Sequence, residues 1–197
     1  GKTRVSVVNL MGLASTESRA RLLVQLAVSL ASWGYGRMEA GSHAEGFRAL
    51  LVIDDAERLI NASPMGLDGL KYLLEHAGLF GIGVVLSTQN PAYLDDNLVS
   101  LFGNTLFGRA NSHQLMELIQ AQIRLKGSIG HDVPWLQRGE FYAHSAGFNE
   151  SVRIEVPASL SLSGHVMSEK ELVELAAVNS SINPEERRGS DVLGIEF

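Results

Sequence analysis

Leu50-Leu51-Val52-Ile53-Asp54-Asp55 decides the reading of this chain. An unbroken apolar run of strand-forming residues that ends in two acids predicts a strand over Ala49–Ile53, buried on both faces as in a parallel sheet. In open α/β sheets the side chains just past such a strand face the crevice where ligands bind. A carboxylate placed there can hold magnesium through water, because magnesium keeps part of its hydration shell. A second carboxylate beside it can orient or deprotonate an attacking water. Asp54 suits the first role and Asp55 the second. An apolar strand followed by acids also begins many ordinary loops, so the stretch gains meaning only from its surroundings.

Downstream, after one helix over Leu67–Gly78 with Leu70, Leu73, Leu74 and Ala77 in register, comes Gly83-Val84-Val85-Leu86-Ser87-Thr88-Gln89. This is a second apolar strand ending in polar residues. A parallel neighbour would bring Thr88 and Gln89 out beside Asp54 and Asp55, where an amide can sense a terminal phosphate and position water. Asn90-Pro91 equally suits a strand-end loop. The ordered pair of strand ends is more specific than either half.

Further outward, Arg4–Leu10 is rich in β-branched residues and predicts a strand. Ser15 offers an N-cap to a helix from Thr16 to about Trp33. Gly34, Gly36 and Gly41 mark a loop to about Gly46. Beyond Gln89 the pattern predicts a short helix over Asp95–Phe102, a strand over Thr105–Arg109 and a helix capped by Ser112 that runs to Leu125. An antiparallel pair over Glu140–His144 and Val152–Val156 follows, then a helix over Ser168–Val178. Strands alternating with helices give an α/β fold with a mostly parallel sheet flanked by helices and a small antiparallel extension near the C-terminus. The expected organisation is one core over residues 1–178 and a polar, extended tail over 179–197.

Composition sets outer limits. The 197 residues carry a net charge of −6, which argues against a broad duplex-DNA-binding face and points any nucleic-acid contact to a local element such as a loop or a pore lining. There are no cysteines, so disulfides and thiol chemistry are excluded and a cytoplasmic address is expected. No apolar run reaches the length of a membrane span. The 6 histidines show no metal-ligand spacing.

The stretch Leu-Val-Ile-Asp-Asp-Ala-Glu-Arg-Leu-Ile, the helix after it, Gly-Ile-Gly-Val-Val-Leu-Ser-Thr-Gln-Asn-Pro and the strand leading to Arg109 together resemble the FtsK–HerA superfamily of RecA-like ATPases, which pump or unwind DNA and are related to conjugation ATPases. The resemblance covers roughly residues 4–145, most densely 49–125. It implies a RecA-like sheet, ATP and Mg2+ as cofactors, and a homo-oligomer, expected to be a hexamer, that touches DNA through pore loops, with Gly34–Gly46 as a candidate. Asp54 would be the magnesium-associated acid of the Walker B strand, Asp55 would stand at the catalytic glutamate position, and Thr88 and Gln89 would face the nucleotide, Gln89 as phosphate sensor. Arg109 matches an arginine that contacts nucleotide at a subunit boundary, or else is a surface arginine.

Two departures qualify the resemblance. Asp55 is one methylene shorter than glutamate, and misplacement by about 1 Å can cost on the order of 10²-fold in rate. Glu57 follows closely but points elsewhere if a helix begins there. These residues also contain no G-x-x-x-x-G-K-[ST] loop. Gly1-Lys2-Thr3 imitates its end, but the segment after it has strand composition where a helix is needed to grip phosphate. The expectation is therefore the C-terminal part of a longer motor, inactive alone, or a non-catalytic interaction module of the same fold.

Overall fold

The computed structural model describes residues 5–10, 13, 15–39, 46–60, 64–158 and 167–181. They form two compact units. The first takes in the described residues up to 53, those from 58 to 85 and those from 167 to 181, the second 54–57 and 86–158.

The first unit is built on two helices, α1 (Thr16–Glu39) and α3 (Pro64–Phe80). The Ser15 hydroxyl accepts the Ser18 N–H at 3.0 Å, so the expected N-cap forms. α1 does not stop near Trp33; it continues through Gly34 and Gly36. Part of the segment expected to be a glycine loop is therefore helix, and residues 40–45 lie outside those described. The reason is packing. A Cβ on Gly34 would lie 2.5 Å from Phe80 Cβ, so glycine lets the two helices approach. Tertiary contact here outweighs a helix-propensity cost of about 1 kcal/mol.

Ala27, Ala31, Leu73, Ala77, Phe80 and Ile82 form the core of this unit. Strands β1 (Ala49–Ile53) and β2 (Ile82–Leu86) make a two-stranded sheet. The Arg48 N–H reaches the Gly81 carbonyl and the Ala56 N–H the Ser87 carbonyl, so partner numbers rise together and the strands are parallel. Gly81, at φ 67°, makes the turn from α3 into β2.

β1 is not buried on both faces as expected. Ala49, Leu51 and Val84 pack on the helix core, while Leu50 and Val52 are 55% and 58% exposed. The apolar run is shared between a covered and an open face of a small sheet. Nor is residues 5–10 a strand: Val5 and Val7 are exposed and that segment has no strand pairing. β-Branched composition without a ladder partner does not make a strand. The short helix α2 (Glu57–Ile60) follows β1. The last helix, α6 (Glu169–Ser181), opens with a reciprocal cap in which Ser168 and Glu171 bond each other's backbone N–H groups. The expected tail lies outside the described residues from 182 onward.

The second unit contains α4 (Asp96–Ser100), β3 (Asn104–Phe107), α5 (His113–Leu125), β4 (Glu140–Ser145) and β5 (Val152–Glu155). Its three strands form an antiparallel sheet in the order β3-β4-β5. Phe107 stands opposite Tyr142, and Tyr142 opposite Arg153. This corrects the mostly parallel expectation: the parallel part is two strands, and β3 joins the antiparallel sheet. Alternation of strands and helices predicts parallel pairing only when the strands share a sheet, and β3 finds a hairpin partner instead. Phe107, Ala110, Ile119, Ile123 and Val133 form the core of this unit.

Among the described residues no helix is long and apolar enough to cross a membrane.

Candidate functional site

The acids after β1 and the polar residues after β2 meet within the second unit. The Ser87 hydroxyl donates a short hydrogen bond to Asp54 Oδ1, and Gln89 Nε2 donates to Asp55 Oδ1 at 2.9 Å. The Asp55 N–H points at Ser87 Oγ at 3.4 Å, and the Ala56 N–H bonds the Ser87 carbonyl at 2.9 Å. Asp54, Asp55 and Gln89 thus share one rim. Ser87 is the residue the sequence reading passed over. It lies at the end of β2, level with the acids, and its one hydroxyl serves both the side chain of Asp54 and the backbone of Asp55. A small hydroxyl residue at the strand end was the available signal.

Asp55 is the one non-glycine residue at positive φ (49°) among the described residues. Aspartate tolerates this left-handed region better than most residues, but it is uncommon and marks a position the surroundings over-determine. The bend turns both its N–H and its carboxylate toward β2.

Thr88 is oriented differently from Gln89. Its hydroxyl accepts the Asn90 N–H at 3.1 Å, while Asn90 Oδ1 caps the turn at Pro91–Tyr93 through the Ala92 N–H. Its side chain therefore shapes the turn leaving the rim. Glu57 begins α2 and keeps a buried, unpartnered Oε2.

One carboxylate of the rim suits magnesium held through water. Asp54 is exposed, and Ser87 bonds one of its two oxygens. No group of three or more His, Asp or Glu that could hold a metal ion converges among the described residues.

Arg109 belongs elsewhere in the same unit. β3 ends at Phe107, and Arg109, two residues on, lines an open groove of about 470 Å³ with Asn111 and residues 137–141. Asp54, Asp55 and Gln89 do not line that groove.

Beside the groove runs a polar network absent from the sequence reading. The Tyr142 hydroxyl donates to Asp132 Oδ1, and Arg153 bonds Asp132 Oδ2 at 2.9 Å and Glu140 Oε1 at 2.7 Å. The tyrosine hydroxyl, with help from Arg153, holds the Asp132 carboxyl below the usual range. The Gln137 N–H and Arg153 do the same for Glu140. Burial and then the Asp132 carboxylate push Tyr142 up to about 12. Arg153, bonded first by Glu140, is raised.

Fold and site together define an α/β domain with an acidic-amide rim at the mouth of a parallel strand pair. No family model matches this chain, and no curated protein does. Among solved structures it is similar to VirB4 of Thermoanaerobacter pseudethanolicus, with a TM-score of 0.53 and 15% identity over 77% of this chain. The chain spans 40% of the length of that protein. At this identity the likeness is one of fold.

Proposed function

We propose that this chain is the C-terminal part of an ATP-driven DNA translocase or helicase motor, contributing the acids and the sensor amide of an ATPase site. The observation that carries the reading is the rim itself: a carboxylate pair at the end of one strand, linked through Ser87 and Gln89 to the end of its parallel neighbour. The fold likeness to VirB4 supports a distant relationship to ATPases of the kind the sequence resembles.

On this reading Asp54 would hold a hydrated magnesium ion, which would supply charge neutralisation to a bound triphosphate. Asp55 orients the attacking water. Gln89, which donates to Asp55, would exchange that bond for one to a terminal phosphate and so couple nucleotide state to the acid. Ser87 positions both acids. The phosphate-gripping loop comes from outside these residues, and Arg109 serves a nucleotide at a subunit boundary in a hexamer whose pore loops meet DNA.

The test is magnesium-dependent ATP turnover by the full-length protein. Asp54→Ala is expected to abolish it and Gln89→Ala to lower it by on the order of 10²-fold. Turnover like wild type in Asp54→Ala refutes the assignment. A second reading, a conjugation- or secretion-type ATPase, is favoured by the likeness to VirB4. It keeps the same residue roles and differs in the substrate moved. Stimulation of turnover by DNA separates the two.

A further inference from the structure

The groove beside Arg109 has a charge and shape that the acidic rim does not explain. Because Phe107 pairs with Tyr142, the chain leaving β3 (108–111) and the chain entering β4 (137–141) run side by side. Each brings one arginine to the groove, Arg109 from the first and Arg138 from the second. Both side chains are exposed, and neither is paired with a carboxylate among the described residues. Asn111 and Gln137 add amides to the lining.

The one acid in the lining, Glu140, is already committed. Its Oε1 takes Arg153 at 2.7 Å and its Oε2 takes the Gln137 N–H at 2.6 Å. Both Glu140 oxygens are therefore already bonded, and although Arg153 is shared with Asp132, the two lining arginines leave the groove and its network with a net positive charge. The walls are also held in place. Val156 donates its N–H to the Gly139 carbonyl at 2.7 Å, and Gly139 sits at φ 89°. A Cβ on Gly108 would come 3.3 Å from the Phe141 ring, so that ring forms a close floor under the β3 side.

We propose that this groove binds a dianionic phosphate end, a phosphomonoester or polyphosphate, between Arg109 and Arg138, and that Arg153 is a positioning residue that keeps the Glu140 carboxylate of the lining bonded to itself and off the two arginines. Guanidinium forks match phosphate oxygens in a bidentate manner, and two of them match the charge of one dianion. A phosphodiester chain fits less well: each of its phosphates carries a single charge, and two cations release few counterions from it. The groove does not depend on the rim acids having the role proposed above.

The experiment is titration of this chain with inorganic tripolyphosphate, without metal, by calorimetry. Saturable binding is expected. Arg109→Gln and Arg138→Gln are each expected to weaken it at least tenfold, and Asp54→Asn to leave it unchanged. Arg153→Met is expected to weaken it too, and Glu140→Gln in that background to restore it, which a merely structural loss would not do. Circular dichroism confirms that each variant is folded. No saturable binding, or binding indifferent to both arginine substitutions, overturns the proposal. Tighter binding per phosphate to a single-stranded oligonucleotide than to tripolyphosphate, lost in the same variants, overturns the choice of ligand. Failure of Asp54→Ala to affect ATP turnover bears on the motor reading alone.

Discussion

The two units are held together by different physics. In the first, α1 and α3 press alanines, leucines and a glycine together, and the polar groups face outward. In the second, an apolar core is bordered by the Asp132–Tyr142–Arg153–Glu140 network, and the acidic rim belongs to the same unit. Apolar packing is non-directional and tolerates shifts in detail, whereas a polar network holds its members in one geometry or loses their bonds. The unit that carries chemistry-bearing groups is the one whose side chains are fixed by direction as well as by volume.

The largest expected effects test whether the cores are equivalent. Leu73→Ala in the first unit and Ile123→Ala in the second remove side chains that are each 0% exposed. Each is expected to cost about 2–5 kcal/mol in denaturant melts. A loss under about 1 kcal/mol in one unit only would break the comparison by showing that its core is loosely packed.

Close helix approach, peculiar to the first unit, is tested next. Gly34→Ala places a Cβ against Phe80 and is expected to destabilise by about 1–3 kcal/mol. Gly36→Ala meets nothing within 4 Å and is expected to stabilise by about 0.5–1 kcal/mol through helix propensity. Equal effects at the two positions would remove the packing argument for the length of α1.

The polar network makes the second unit the pH-sensitive one. Asp132 and Glu140 are depressed in the fold, so their contribution is complete above their ordinary values of 3.8 and 4.5 and is lost as pH falls through the lower folded values. Tyr142 is raised from 10.0 to about 12, so its contribution is complete below pH 10.0 and is lost as pH rises toward 12. Melting as a function of pH, followed through signals of β4 and β5, is expected to show a plateau with losses at both ends. Tyr142→Phe is expected to flatten the alkaline loss, and an unchanged alkaline limb would show that the tyrosine is not its source.

Ser87→Ala carries only a small effect on stability, about 0.5–1.5 kcal/mol, since its hydrogen bonds are solvent-exposed. Its expected consequence lies in function. Melting should barely move while ATP turnover of the full-length protein falls, and a large melting shift would make the rim a structural clamp instead.

The sequence was readable where local rules and the outcome coincide. The strand over Ala49–Ile53, the helix under Ser112 and the antiparallel pair near the C-terminus follow from apolar periodicity, a capping side chain and β-branched alternation. The pairing of rim residues was legible because two apolar strands about thirty residues apart, joined by a helix, lie side by side in parallel. Arg4–Leu10 misled because strand composition is only half of a strand; the other half is a partner. Gly34 and Gly36 misled because glycine signals a loop locally, while contact with Phe80 makes it a spacer in a helix.

By itself, then, the order of residues determined where strands end in acids and where in an amide, since backbone geometry carries those side chains to a strand's carboxyl edge whatever surrounds it. Only the tertiary structure decided that Ser87 joins the two edges, that β3 turns antiparallel, and that Arg153 bonds Glu140 in the lining of the groove that holds Arg109 and Arg138. The partners are distant in sequence: Ser87 and Asp54 by 33 residues, Arg153 and Glu140 by 13, and β3 pairs Phe107 with Tyr142. Hydrogen bonds act over a few ångströms in space and leave no periodic trace along the chain.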